Sequence, residues 1–372
     1  MARPDTPVTD PTGGAPAGDI PSDDTPSRPE LSDDTVLETF DLGFPWATVD
    51  PFLVTVHHLD HYPAGDPDMG PVTDTGRRDP GAVPSSPGWS MYYGDTVPGF
   101  PRHPHRGFET VTFVRRGYID HSDSLGATAR YGAGDVQWLT AGRGIQQAEL
   151  FPLVDDRGPN TTELFQIWLN LPADDKMVEP YFTMFWREDL PRTVLKDDDG
   201  RATEVTVVAG AFGNLQPLAP PPDSWASRST SDLAIWQFAA EPAAEWTLPA
   251  AAGGGTQRVL YVYEGSVAVA GRTFDGPVGL VLRADSPVAV TAGADGADTL
   301  VLQGRPIGEP VAMGGPFVLT TRQEIETAYV DFRRTGFGGW PWADAGPVHA
   351  RTAPRFARHP DGRTEYPEGG DR

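Results

Sequence analysis

His103-Pro-His105 is the pair in this chain best placed to do metal chemistry. On an extended strand, residues i and i+2 leave the same face about 6.6 Å apart along the chain, and two imidazoles so placed can converge on one ion. Pro104 keeps the backbone extended and, having no N–H, suits the lip of a sheet better than its centre. The same spacing also describes two surface histidines beside a proline, so a second donor strand is needed. Gln147-Ala-Glu149 repeats the spacing after the loop Thr140-Ala-Gly-Arg-Gly-Ile145. Glu149 offers a hard anionic oxygen; Gln147 points to the same side but offers only a neutral amide oxygen, a weak ligand. Two histidines and a carboxylate on adjacent strands form the facial set that suits ferrous iron, with open positions for substrate and dioxygen.

The remaining histidines are His57, His58 and His61, which could stand in for a missing imidazole, His121, read as a turn residue, and His349 and His359. None lies between 122 and 348, and the chain has no cysteine. The second half therefore lacks the donors of a transition-metal site. Arg106 and Glu109, just after the histidine pair, are candidates to pair with each other or to orient His105. Arg115-Arg116 and Asp197-Asp-Asp199 read as solvated loop charges, and Trp138 as core.

Two stretches must carry these residues. From 108 to 170, short apolar runs such as Phe108-Glu-Thr-Val-Thr-Phe-Val and Leu164-Phe-Gln-Ile-Trp-Leu alternate with glycine turns. From 203 to 304 the pattern recurs, which predicts two β-barrels or sandwiches in tandem. Thr321-Arg-Gln-Glu324 is a capping box opening a helix over 321–334, with Ile325, Ala328, Tyr329 and Phe332 as one apolar stripe that braces a barrel. Residues 1–40 read as a disordered acidic tail, 63–99 as a long surface loop pinned by Trp89, Met91, Tyr92 and Tyr93, and 345–372 as a frayed, flexible tail.

The composition narrows the function. With 29 basic against 52 acidic residues the net charge is -23, which repels phosphate backbones and argues against direct nucleic-acid binding. No apolar run approaches the ~18 residues of a membrane span, and no signal peptide is evident, so a cytoplasmic monomer is expected.

Several motifs together strongly resemble the pirin family of the cupin superfamily. They are His103-Pro-His-Arg-Gly-Phe-Glu-Thr-Val-Thr112, Gly134-Asp-Val-Gln-Trp-Leu-Thr-Ala-Gly-Arg-Gly-Ile145, Leu164-Phe-Gln-Ile-Trp-Leu-Asn-Leu171, Lys176-Met-Val-Glu-Pro180 and Gly314-Gly-Pro-Phe-Val318. The resemblance spans roughly 40–340 and implies an all-β fold of two tandem jelly-roll-like cupin barrels. The N-terminal barrel, over 41–175, would hold one metal, usually iron, and the C-terminal barrel, over 176–340, none. The family's ligands are His-x-His on one strand and His-x-Glu on another. His103, His105 and Glu149 match three of them, whereas Gln147 stands at the family's third histidine and implies weaker metal binding. Some members cleave the flavonol quercetin with dioxygen, a role in which Glu149 would be the general base. Others are non-catalytic partners of transcription factors, and the acidic tail would suit docking to a basic protein surface. Two expectations follow: an Fe(II)-dependent quercetinase-type dioxygenase, or a regulatory protein whose metal site is weakened or lost.

Overall fold

The computed structural model describes residues 35–78 and 88–368. The described residues open with β1 (Val36–Asp41) and β2 (Phe52–Tyr62), followed by β3 (Gly99–His105), β4 (Phe108–Arg116) and β5 (Tyr118–Asp123). Next come β6 (Thr128–Gly132), β7 (Val136–Thr140), β8 (Ile145–Leu150), β9 (Asn160–Asn170) and β10 (Tyr181–Phe185). The second half contains β11 (Arg192–Lys196), β12 (Ala202–Ala209), β13 (Ala234–Ala240), β14 (Glu245–Leu248) and β15 (Gln257–Val269). It continues through β16 (Arg272–Asp275), β17 (Val278–Leu282) and β18 (Val288–Gly304). A hairpin of β19 (Ala312–Gly314) and β20 (Phe317–Leu319) leads into α1 (Arg322–Thr335), and β21 (Phe356–Arg358) and β22 (Thr364–Glu365) end the chain.

The first barrel is a five-stranded sheet, β10-β7-β4-β9-β2, packed against a six-stranded sheet, β22-β21-β6-β5-β8-β3. The second is a nine-stranded sheet ordered β1-β17-β15-β18-β13-β12-β11, with β14 on β18 and β16 on β15. The two-barrel, all-β expectation holds, and no helix among the described residues is long and apolar enough to cross a membrane.

Alternation along β4 and β9 explains how one sheet serves two purposes. Successive side chains point to opposite faces. Val111, Phe113, Phe165, Ile167 and Leu169 face the second barrel and form a shared core with Val208, Ile235, Val259, Tyr261 and Leu300. Thr112, Val114, Leu164, Gln166 and Trp168 face the interior of the first barrel. Both faces are covered, so β4 is buried over Phe108–Val114. At roughly 1.5–3 kcal/mol per buried large apolar side chain, this shared core holds the barrels together.

Three expectations about chain order are corrected. Val36–Asp41 is not tail: it pairs with β17, so the first described strand belongs to the second barrel. The rest of the expected acidic tail, through residue 34, lies outside the described residues, as do 79–87 of the long loop. The first barrel runs past 175, because β10 pairs with β7. The C-terminal segment is not frayed: β21 adds to β6, and Arg130 donates to the carbonyls of His349, Ala350, Arg351 and Ala353. An anchor made of arginine-to-carbonyl hydrogen bonds leaves no apolar pattern in the sequence.

The capping box of α1 forms as expected. Thr321 Oγ1 accepts from the Glu324 amide at 3.2 Å, and Glu324 Oε2 accepts from the Thr321 amide at 2.8 Å. Such a cap contributes about 1 kcal/mol. Ile325 and Ala328 pack on Phe317 and Leu319 of the hairpin, so the helix braces the hairpin that reaches back to the first barrel.

Candidate metal centre

Strands β3 and β8 pair antiparallel with His103 opposite Gln147 and His105 opposite Ile145. β5 flanks β8 on its other side, with His121 opposite Glu149 and Asp123 opposite Gln147. Directly opposed residues share a face, so His103, His105, Gln147, Glu149, His121 and Asp123 all line the barrel interior. The other face of β8 carries Gln146, Ala148 and Leu150, packed beneath the C-terminal segment. Gln147 is fully buried and Glu149 2 % exposed, while His103, Gln166 and Trp168 are only half-buried and mark the open side.

The rings of His103 and His105 lie 4.7 Å apart. His103 Nδ1 is 2.9 Å from the Pro101 carbonyl and His105 Nδ1 3.4 Å from that of Pro316, so each ring donates from Nδ1 and turns the Nε2 lone pair inward. That is the tautomer a metal ligand needs. Burial lowers the pKa of both rings, His105 well below the ordinary value, which keeps them neutral. Glu149 Oε2 accepts from Gln147 at 2.9 Å and from Gln166 at 3.0 Å. Glu149 Oε1 has a 3.4 Å contact from Thr112 Oγ1.

The Gln147 amide nitrogen lies 3.3 Å from His103 Nε2 as well as 2.9 Å from Glu149, while Gln147 Oε1 is buried without a partner. Among the described residues no three His, Cys, Asp or Glu side chains are gathered closely enough to hold an ion; a glutamine stands between His103 and Glu149. The chemistry of the donors, two imidazoles, a carboxylate and an amide, is of the kind that suits a divalent ion. Adjacent ligands with bonds of ~2.1 Å lie about 3 Å apart, which is close to the 3.3 and 2.9 Å that separate the Gln147 amide from His103 and Glu149. The orphaned Oε1, whose burial costs roughly 1–3 kcal/mol, becomes a donor if the amide is reversed.

Motif residues outside the donor set hold the site in place, and the sequence reading missed how. Pro316, which tethers His105, belongs to the Gly314–Val318 motif of the second half. Gly107 has φ +85, and a Cβ there would lie 2.0 Å from the Val318 carbonyl oxygen, so only glycine lets the hairpin approach. Lys176 Nζ donates to the carbonyls of Gly107 and Val318 and to Asn170 Oδ1 at 2.7 Å. Burial pulls its pKa down to about 8. The hairpin and the ligand strand are thus tied by one buried ammonium.

Other expected roles resolve differently. Arg106 and Glu109 do not pair, because alternation puts them on opposite sides. Arg106 bonds Asp331 of α1 and the Arg143 carbonyl, while Glu109 accepts from Thr140 at 2.7 Å and from Ser224 of the second barrel at 2.5 Å. Arg115 is no loop charge: it bridges the barrels through Glu163, Tyr263 and Asp298. His57 bonds Glu163, His58 bonds Tyr92 at 2.8 Å, and His61 is exposed, so none of the three replaces the missing imidazole. His121 is not in a turn but buried in β5, 3.3 Å from Asp123 and stacked on Phe182. Only its strand register, invisible in a one-strand reading, could have placed it beside Glu149.

Glu109 carries a testable pH dependence. Burial raises its pKa from 4.5 to about 7. Between those values the folded protein holds a proton that the unfolded chain releases, so stability falls as pH rises from 4.5 to 7 and the loss is complete above 7. The expected total is about 3 kcal/mol at most. Denaturant titrations of Glu109→Gln and the parent chain should diverge in the variant's favour over that window. Parallel curves would refute the assignment.

The pirin family profile matches residues 81–169, and that of the pirin C-terminal cupin domain matches 235–338. A Pseudomonas aeruginosa protein provisionally named quercetin 2,3-dioxygenase is 38% identical over 242 residues, covering 64% of this chain and 79% of its own length. A pirin-like protein of Caulobacter vibrioides is 37% identical, covering 65% and 82%. The crystal structure of quercetin 2,3-dioxygenase from Acinetobacter baumannii superposes with a TM-score of 0.61 at 28% identity, covering 78% of this chain and 87% of that one. Matched in both barrels, and in strand motifs whose structural work is now visible, this chain belongs to the pirin family.

Proposed function

We propose that the chain is a divalent-metal-dependent oxidoreductase of the quercetin 2,3-dioxygenase type, with Fe(II) as the working ion and His103, His105 and Glu149 as its holders, joined by Gln147 through Oε1. The reading rests on one observation: two neutral imidazoles and a carboxylate share an inward face beside a half-buried Trp168. The names carried by the Pseudomonas and Acinetobacter proteins support it. A bound ion would supply Lewis acidity toward a flavonol hydroxyl and, as iron, a route for dioxygen.

The chain's own residues would do the rest. Gln166 holds Glu149 through Oε2 at 3.0 Å, and Glu149 would accept the flavonol hydroxyl proton as general base. Trp168, in contact with Phe108 at 4.3 Å between ring centroids, offers an aromatic wall to a planar substrate. The net reaction adds one dioxygen to the flavonol, opens its heterocycle and releases carbon monoxide. Gln147 also favours a second reading, a metal-poor regulatory protein. Purified protein given Fe(II) and quercetin should consume dioxygen and release carbon monoxide in equal amounts; iron-loaded protein that consumes none would leave the second reading standing.

A further inference from the structure

We infer that the Gln147 side-chain amide is a built-in occupant of this centre: in the metal-free protein its NH2 group joins His103 to Glu149 as a cation would, and metal binds only as the amide turns over to present Oε1. The inference rests on the metal-dependent reading above and names the residue that governs occupancy.

The proton positions follow from the partners. Carboxylate oxygens only accept, so the Gln147 atom 2.9 Å from Glu149 Oε2 must be the nitrogen. His103 has its proton on Nδ1, facing the Pro101 carbonyl at 2.9 Å, so its Nε2 must accept from the same nitrogen at 3.3 Å. One planar NH2 thus gives one proton to each of two acceptors. A neutral imidazole carries a single N–H and could not do both. A histidine here could serve His103 or Glu149 but not both whenever the metal is absent, so one of these two bonds would be lost. Glutamine serves both and instead strands its own Oε1, a buried acceptor with no partner.

Two consequences follow. Without metal, His103 and Glu149 are both bonded to the amide, so metal must compete with that bridge, and affinity falls. The loaded set becomes two imidazole nitrogens and two oxygens, which shifts preference from Ni(II) toward harder ions. The centre is built to exchange its ion with the surroundings and to remain folded without it.

The test compares full-length wild type, Gln147→His and Gln147→Glu. Each is melted in chelator and with Fe(II) or Ni(II), with affinities from anaerobic calorimetry. Wild type should melt at nearly the same temperature with and without metal. Both variants should melt lower in chelator and recover with metal, and Gln147→His should bind Ni(II) on the order of 10- to 100-fold more tightly than wild type. In NMR of the metal-free wild type, the Gln147 NH2 protons should be resolved and protected from exchange, and they should lose that protection on loading. A Gln147→His protein that is as stable in chelator as wild type, or that binds Ni(II) no more tightly, overturns the inference. Should Gln147→Glu fail to fold, Gln147→His and the amide protons decide alone. If all three chains bind metal as expected but none consumes dioxygen with quercetin, the dioxygenase reading fails and the amide's role stands.

Discussion

Replacing His105 with alanine is expected to lower divalent-metal affinity by about 100-fold or more and to abolish quercetin-dependent dioxygen uptake. His105 is the better test than His103 because it takes no part in the Gln147 bridge, so its loss removes a donor without disturbing the metal-free hydrogen bonds. Its ring sits between Phe108 and Trp168, with centroids 5.1 and 5.5 Å away, and its Nδ1 faces the Pro316 carbonyl. Changes to groups that merely orient a ligand already cost 10- to 100-fold, so removing the ligand itself should cost at least as much. Because alanine also opens a cavity, His105→Gln provides a control of similar volume with a poorer donor. Elemental analysis with calorimetry checks both. Unaltered metal stoichiometry in His105→Ala would remove His105 from the donor set.

The second large effect is expected at Arg130, on the opposite face of the site sheet. Its guanidinium is 1 % exposed and grips both oxygens of Asp120 at 2.7 Å, across the β5–β6 pair. Its remaining donors hold the carbonyls of 349–353, and Asp120 also accepts from the His349 amide at 2.8 Å. Arg130→Ala leaves a buried carboxylate without its cation and several carbonyls without donors, a class of change that costs about 3–5 kcal/mol. The C-terminal segment should then peel away. Gln146 Nε2, held by the Gly336 and Gly339 carbonyls, would lose its anchor, and with it β8 would loosen beneath Gln147 and Glu149. Chemical denaturation should show the loss of stability, and limited proteolysis should cut first within 340–368. A loss below about 1 kcal/mol with an unchanged cleavage pattern would show that the segment is held elsewhere.

β8 shows why part of this site was legible in the sequence and part was not. Ile145-Gln-Gln-Ala-Glu-Leu150 is buried at every position, so it has no polar–apolar alternation to read. One face meets the donors, the other the C-terminal segment. Read alone, Gln146 and Gln147 are the same residue, and only register separates them. Arg115 raised the same difficulty: a charge on a buried sheet resembles a loop charge until a second barrel is set against it.

The sequence by itself determined the donor types and their i, i+2 spacing, the glycine-punctuated strands of both barrels, and the capped helix. These are local properties, set by strand pleat, turn conformation and the unpaired amides of a helix start. Tertiary structure alone decided which donors meet, that Pro316 from the second half orients His105, that His121 lies beside Glu149, and that the Gln147 nitrogen bridges two acceptors. Each depends on contacts between residues distant in the chain, where pairing register and the burial of polar atoms, not the identity of near neighbours, fix the geometry.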